Sequence, residues 1–381
     1  MKIALVTDGI MPFVNGGMQK HSYFLAKYLT LNNCDVTLFH CVHSSKLPTD
    51  DEVNKSIFSS NHKLKNILTF SFPRSIWFPG HYFYNSYRYS KKVYNAIIKD
   101  INQFDFIYVK GLSGWKLLNE KNILNSAIKI GVNFHGMNMF LPVQGLKLKI
   151  VNLFFKIIVK KNMILSDYVF SYGSKVTSTI LNAHISKNKI IEIPTAIERH
   201  FIRDENEIKV NNTINFVFIG RNDPVKALNE LFISIKNINV NFNYVFHFIG
   251  PIENKIKREN IIYHGLLNNY SDIIKILDNS DVLLLPSYSE GMPNVILEAM
   301  SRGLLIIATN VGAVNLMVNN DNGFLIKSPS PVLIQEAMEI ILNMDSKDII
   351  KMRINSLNKL KNNFTWEKIA SLTLQQISKR L

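Results

Sequence analysis

Residues 281–300 read Asp281-Val282-Leu283-Leu284-Leu285-Pro286-Ser287-Tyr288-Ser289-Glu290-Gly291-Met292-Pro293-Asn294-Val295-Ile296-Leu297-Glu298-Ala299-Met300. The apolar run from Asp281 to Pro286 suits a strand buried on both faces of a parallel sheet. Asn294 to Met300 has the composition of a helix, and Pro293 stands where a first-turn proline costs no hydrogen bond. Strand, glycine-bearing loop and helix start, in that order, put Glu290 and the amides of Gly291 to Asn294 at the carboxyl edge of an open α/β sheet. Such a place suits an anion or a sugar hydroxyl. Seven residues separate Glu290 from Glu298, which lies about one turn, roughly 6 Å, along the helix axis. Two carboxylates so placed can grip different parts of one extended ligand; the plainer alternative is a pair of helix-cap acids.

Upstream, the apolar run Ile214–Ile219 leads into Gly220-Arg221-Asn222-Asp223-Pro224-Val225-Lys226 and a helix from about Leu228. Arg221 and Lys226 flank this strand-to-helix turn and can compensate a diphosphate, the arginine through paired donors and the lysine as a point charge. Tyr244–Gly250, Ile261–Gly265, Leu304–Thr309 and Asn322–Ile326 read as further strands, with a helix over Ser271–Leu277. At the other end, Lys2–Thr7 reads as a strand, Asp8–Gly17 as a loop and Gln19–Leu31 as a helix. Gly16 and Gly17 either let backbone amides approach a phosphate at the positive helix end or simply make a turn. The pattern is not G-x-G-x-x-G, which disfavours a nicotinamide enzyme. Asp35–His40, Phe106–Lys110, Ile128–Phe134 and Tyr168–Ser171 supply more strands, whereas Ser44–Asn61 reads as polar and turn-rich. His135, beside Gly136, stands just past a strand end, either as a structural histidine or facing the same crevice.

A chain of 381 residues exceeds what one core usually holds, so two domains are expected. Cys34 and Cys41 have no metal-ligand spacing and are expected as free thiols in a reducing compartment. The apolar start is too short for a signal sequence, and no run of 18 apolar residues reads as a membrane span. The net charge of +15 is uneven. Residues 1–195 carry 24 Lys and Arg against 10 Asp and Glu, and residues 196–381 carry 20 against 19. A basic first half fits nucleic acid or an anionic membrane surface, and no zinc-finger, RNA-recognition or helix-turn-helix pattern favours nucleic acid. Phe70–Tyr94 interleaves aromatic residues with Arg74, Arg88, Lys91 and Lys92, which suits stacked bases, a lipid headgroup, a sugar acceptor, or a core helix from about Asn85 with a basic outer face. Residues 145–166 set Lys149, Lys156 and Lys160 on one helical face among apolar residues, either for a membrane interface or as the solvated side of a packed helix.

The stretch Glu290 to Glu298, with its Gly, Pro and trailing Ala-Met, resembles the E-x₇-E signature of the retaining nucleotide-sugar glycosyltransferases of family 4. The Gly16-Gly17 loop, His135, Gly220-Arg221 with Lys226, and the terminal Phe364-Thr365-Trp366-Glu367 resemble further elements of that family. The resemblance implies the α/β GT-B fold, two Rossmann-like domains with parallel sheets facing across a cleft. Residues 1–194 with a crossover helix 365–381 would bind the acceptor, and residues 195–364 the donor. It implies that Glu290 with Gly291, Met292, Pro293 and Asn294 holds the donor sugar and Glu298 the ribose hydroxyls. Gly16 and Gly17 would pack on the diphosphate, Arg221 and Lys226 would bind it, and His135 would contact the donor sugar or its phosphate. Three departures stand out: Thr195 and Ala196 replace the Asn and Gly of the family's Pro-Asn-Gly-Val-Asp linker, Ala227 replaces a motif glycine, and Gly312, Ala313 and Leu316 stand where relatives have Gly-Gly-x-x-Glu.

The expected protein is therefore a retaining hexosyltransferase that takes a sugar from a nucleotide diphosphate-sugar to a glycan or lipid-linked acceptor, in lipopolysaccharide, capsule or O-antigen synthesis. With no Asp-x-Asp motif, no cofactor and no divalent metal are expected, and nucleic acid is not a partner. The expected place is the cytoplasmic face of an anionic membrane, as a peripheral protein. A sugar-nucleotide epimerase and a non-catalytic, membrane-associated nucleotide-sugar-binding subunit are the alternatives.

Overall fold

The structure, a computed structural model, describes residues 1–381 apart from 124–126, 141–145, 210, 211, 239–241, 254 and 268, and of 146–148 the backbone alone. The chain forms two compact α/β units. One comprises Met1–Tyr172, Val176–Pro194 and Trp366–Leu381, the other Gly173–Lys175 and Thr195–Thr365. Each has one parallel sheet, as the apolar runs require: a strand covered on both faces by helices has no polar side to show.

In the first unit the strands are β1 (Lys2–Val6), β2 (Asp35–Val42), β3 (Asn66–Ser71), β4 (Phe106–Lys110), β5 (Lys129–Asn133), β6 (Tyr168–Ser171) and β7 (Ile190–Glu192). Their order is β3-β2-β1-β4-β5-β6-β7, so the sheet changes direction of build between β1 and β4. In the second unit β8 (Ile214–Ile219), β9 (Tyr244–Ile249), β10 (Ile261–Gly265), β11 (Val282–Leu285), β12 (Leu305–Thr309) and β13 (Gly323–Ile326) run in the order β10-β9-β8-β11-β12-β13. The change here lies between β8 and β11. Loops that leave the carboxyl ends of strands beside such a point diverge and leave room for a ligand.

The helices that matter below are α1 (Gly17–Leu31), α2 (His81–Ile97), α3 (Leu146–Leu165), α4 (Leu228–Asn237), α5 (Asn294–Ser301), α6 (Ser346–Asn363) and α7 (Trp366–Ser378). Gly145, part of the expected basic helix, lies outside the described residues, as do the side chains of Leu146, Lys147 and Leu148. The last helix, α7, belongs to the first unit, where Trp366 packs its indole against His21, Phe24 and Tyr28 of α1 at centroid distances of 5.1, 5.6 and 6.0 Å. In the second unit Phe216 of β8 stacks on Phe246 of β9 at 5.0 Å, and Phe232 of α4 meets Phe248 at 5.4 Å. Arg353 of α6 is buried against Asp281, whose carboxylate it meets through Nη1, and donates to the carbonyls of Gly303 (2.7 Å) and Ser280 (3.1 Å). Removing either partner would leave an uncompensated buried charge, so the pair fixes α6 to the start of β11.

Four local expectations are corrected. Pro293 is not in the first helical turn but at the cap, with φ −72° and ψ 118°, and α5 begins at Asn294. The aromatic helix begins at His81 rather than Asn85. Ser44–Asn61 contains a helix, Asp50–Ile57, closed by a capping box between Thr49 and Glu52. Strands β3 and β7 were not expected at all. Cys34 and Cys41 are free and buried.

Candidate functional site

In the second unit the loops after β8 and β11 stand beside the switch point. After β8 the chain turns at Asp223, whose side chain accepts from the Val225 amide at 3.0 Å, and then passes Ala227 at φ 52°, ψ 42°. That left-handed conformation explains the motif glycine replaced here, since a Cβ in it costs roughly 1–2 kcal/mol. The Tyr288 amide donates to the Val225 carbonyl at 2.8 Å and its hydroxyl to Glu230 at 2.6 Å, so the β11 loop is laced to the β8 loop. Between them Lys226 Nζ donates to Glu290 Oε1 at 2.6 Å, with both side chains largely shielded. Arg221 is exposed and, among the described residues, has no carboxylate partner.

The β11 loop is held from behind as well. Gly312 sits at φ 55°, and a Cβ there would lie 2.2 Å from the Glu290 carbonyl oxygen. The next amide, that of Ala313, donates to the Gly291 carbonyl at 2.8 Å. Only glycine fits at 312, whatever follows it. Met292 is buried, its sulfur accepting from the Thr195 amide at 3.2 Å, and Ile296, Leu297, Ala299 and Met300 bury the inner face of α5. No side chain caps α5, so its amino end keeps amides for an anion. Glu298 lies one turn in, half-buried, near Tyr270, whose hydroxyl burial and the Glu298 charge hold above its ordinary range.

In the first unit Gly16 and Gly17 stand at the entrance of α1, which carries no side-chain cap and no acid in its first turn. A side chain at Gly17 would meet nothing within 4 Å, while one at Gly16 would strike Gln19. His135 follows β5 and joins a cluster that sequence reading missed. Lys110, wholly buried at the end of β4, donates to His21 Nδ1 at 2.9 Å and to His135 Nε2 at 3.2 Å. His135 Nδ1 lies 2.6 Å from the Tyr172 hydroxyl after β6. With an ammonium on Lys110 donating to Nε2, a neutral His135 carries its proton on Nδ1 towards the Tyr172 hydroxyl. Burial, then the Lys110 charge, pushes both histidines well below their ordinary value. Burial likewise depresses Lys110, opposed by Asp8. Asp8 itself, bonded to Gln19 at 2.9 Å, is raised by burial to about 6. The one signal in sequence was a lysine closing an apolar strand. Among the described residues no three His, Cys, Asp or Glu side chains are grouped to hold a metal.

Residues 213–344, most of the second unit, match the family described as glycosyl transferases group 1. The match covers about a third of the chain. An uncharacterized 41.2 kDa protein in the cps region of Klebsiella pneumoniae is 28% identical over 67% of this chain and 73% of its own. The Escherichia coli UDP-Gal:alpha-D-GlcNAc-diphosphoundecaprenol alpha-1,3-galactosyltransferase is 40% identical over 25% of this chain and 26% of its own. Among solved structures, sucrose-phosphate synthase from Thermosynechococcus elongatus superposes with a TM-score of 0.78 at 16% identity, covering 100% of this chain and 98% of that one. The fold shared with that structure is GT-B. The candidate residues are brought together in two sets, Lys226 with Glu290 in the second unit and His135 with Lys110, His21 and Tyr172 in the first.

Proposed function

We propose that the protein is a retaining, metal-independent hexosyltransferase that moves a sugar from a nucleoside diphosphate to a lipid-linked glycan during assembly of a cell-surface polysaccharide. The observation that carries this reading is the Lys226–Glu290 pair at 2.6 Å beside an exposed Arg221. A diphosphate offers Lys226 more charge than one carboxylate does, so donor binding draws Lys226 to phosphate and releases Glu290 to a sugar hydroxyl. As the glycosidic bond breaks, the leaving diphosphate gains charge, which fixed cations stabilise without reorganising. In this reading Arg221 and Lys226 do the work of a metal, Glu298 binds the ribose hydroxyls, and a donor phosphate oxygen takes the acceptor's proton on the face the diphosphate leaves. His135 reaches the donor only by giving up one of its two internal bonds. The E. coli relative, by its name, uses UDP-galactose and a diphosphoundecaprenol-linked acceptor, which supports the same donor and acceptor chemistry here.

Melting curves with UDP, GDP, ADP and CMP test the donor site. A ligand at 100 times its dissociation constant adds roughly 2.7 kcal/mol, so one nucleoside diphosphate is expected to raise the midpoint clearly. Arg221→Ala with Lys226→Ala is expected to abolish that rise; a rise that survives both substitutions would remove the clamp, and the absence of any rise would sink the donor reading.

The same proposal places the protein on an anionic cytoplasmic membrane face. Among the described residues no helix is long and apolar enough to cross a membrane. In α3, however, Val159 and Met163 are buried while Ile150, Leu153, Phe154 and Ile157 stand about half exposed, with Lys149 and Lys156 exposed beside them. An exposed apolar stripe flanked by lysines suits the headgroup boundary. Lys149→Glu, Lys156→Glu and Lys160→Glu together should cut binding to phosphatidylglycerol vesicles at least 100-fold, since each lysine contributes about 1 kcal/mol. Unchanged pelleting would leave α3 as a packing element.

A further inference from the structure

The sheet of the first unit has a second opening at its carboxyl edge, away from the switch point. Between the ends of β2 and β3 lies a cavity of about 240 Å³ lined by the apolar Phe72 and Pro73 and the polar His43, Ser44, Ser45, Ser71, Arg74 and Lys92. Two cations stand in it already oriented. The Arg74 guanidinium donates to the His43 carbonyl, and Lys92 Nζ, from α2, donates to the Ser71 carbonyl at 3.1 Å. Carbonyls position a cation without neutralising it. Among the described residues neither cation has a carboxylate partner, and no acid lines the cavity. An arginine has five donors and a lysine three, so most of theirs remain for a ligand, beside the hydroxyls of Ser44, Ser45 and Ser71.

The chain leaves this cavity through Ile76 and Trp77, which are 91% and 72% exposed, and Phe78. Just beyond, Tyr82 stacks on Phe155 of α3 at 6.0 Å, and Phe83 meets the same ring at 5.1 Å. The apolar strip next to the cations therefore continues onto the exposed stripe of α3. Uncompensated cations with hydroxyls fit a phosphate or diphosphate, and an adjoining apolar strip fits a hydrocarbon chain attached to it.

We propose that the cavity of Arg74 and Lys92 is the binding site for the diphosphate head of the lipid-linked acceptor, with Ile76 and Trp77 against the first part of its lipid chain. This rests on the transferase reading above and adds to it the residues that hold the acceptor's diphosphate. The reacting sugar lies beyond the diphosphate, so the site anchors the acceptor and touches no reacting atom.

Farnesyl diphosphate and inorganic pyrophosphate are the probes, titrated by calorimetry into the full chain carrying Arg221→Ala and Lys226→Ala, which removes competing cations. Adding Arg74→Ala and Lys92→Ala should weaken farnesyl diphosphate at least tenfold and abolish pyrophosphate binding. Trp77→Ser should weaken farnesyl diphosphate alone. Equal farnesyl diphosphate binding with and without Arg74 and Lys92 overturns the site. So does a loss seen only on phosphatidylglycerol vesicles, which would assign these cations to bilayer phosphates. Both cations are exposed, so an unchanged melting midpoint is the check on folding. The two readings fail separately: UDP stabilisation of the wild type reports the donor site, whatever Arg74 and Lys92 do.

Discussion

Glu290→Gln should lower turnover by about 10²–10³ while leaving nucleoside diphosphate affinity unchanged or tighter. On the proposed role, the first half follows from losing a fixed carboxylate that orients the donor sugar at the moment charge moves, an effect comparable with removing one preorganised group from other active sites. The second half follows from the resting structure. Lys226 is held by Glu290 at 2.6 Å, and a diphosphate must compete with that carboxylate for the ammonium. Glutamine keeps the shape and one weaker acceptor but removes the competing charge. A residue that merely supported the loop would lose affinity and turnover together. Steady-state kinetics with calorimetric titration of the diphosphate separates the cases: near-normal kcat would remove Glu290 from the site, and a parallel loss of affinity would make it structural.

The residues around Glu290 were the most legible in the chain because local physics writes them plainly. A strand buried on both faces must be apolar throughout, and Val282–Leu285 is wholly buried. The helix after it starts at the residue expected, Asn294. Where burial is partial the signal fades. Strand β3 lies at a sheet edge with its residues only half-buried or exposed, so it shows no apolar run, and β7 has three residues. Asp50–Ile57 buries only Val53 and Ile57, too few for a helical period, although Thr49 and Glu52 at capping-box spacing were there to be read.

The side-chain sets were less legible than the elements. Glu290 and Lys226 could each be singled out, yet they were assigned to different parts of a ligand. Their direct contact spans 64 positions, which only the order of β8 beside β11 brings together. Lys110 is the harder case. Its partners, His21 and His135, are 89 and 25 positions away, and a lysine at the end of a strand is ordinarily solvated. Only the fold shows that three strand ends and one helix converge on it.

That cluster makes the first unit acid-sensitive. A histidine whose folded value is depressed is neutral in both states above pH 6.5. Below that the unfolded chain takes a proton that the folded one refuses, and stability falls until the folded value is reached. For His40, held near 4 by burial, the loss amounts to about 3 kcal/mol. Asp8 acts with the opposite sign. Its folded value of about 6 lies above the unfolded one, so acidification from 6 to 4 relieves a buried charge by a similar amount, about 3 kcal/mol. These two nearly cancel, and His21 and His135, both pushed well below the ordinary range, decide the sign. Urea unfolding followed by tryptophan fluorescence isolates this unit, because Trp77, Trp115 and Trp366 all belong to it. The midpoint is expected to fall steadily from pH 7 to pH 4.5. His40→Gln, which keeps an acceptor for Thr69, should reduce the slope by up to one proton. A midpoint that rose on acidification would mean that the histidine cluster is charged in the folded protein, with Lys110 giving up its proton instead.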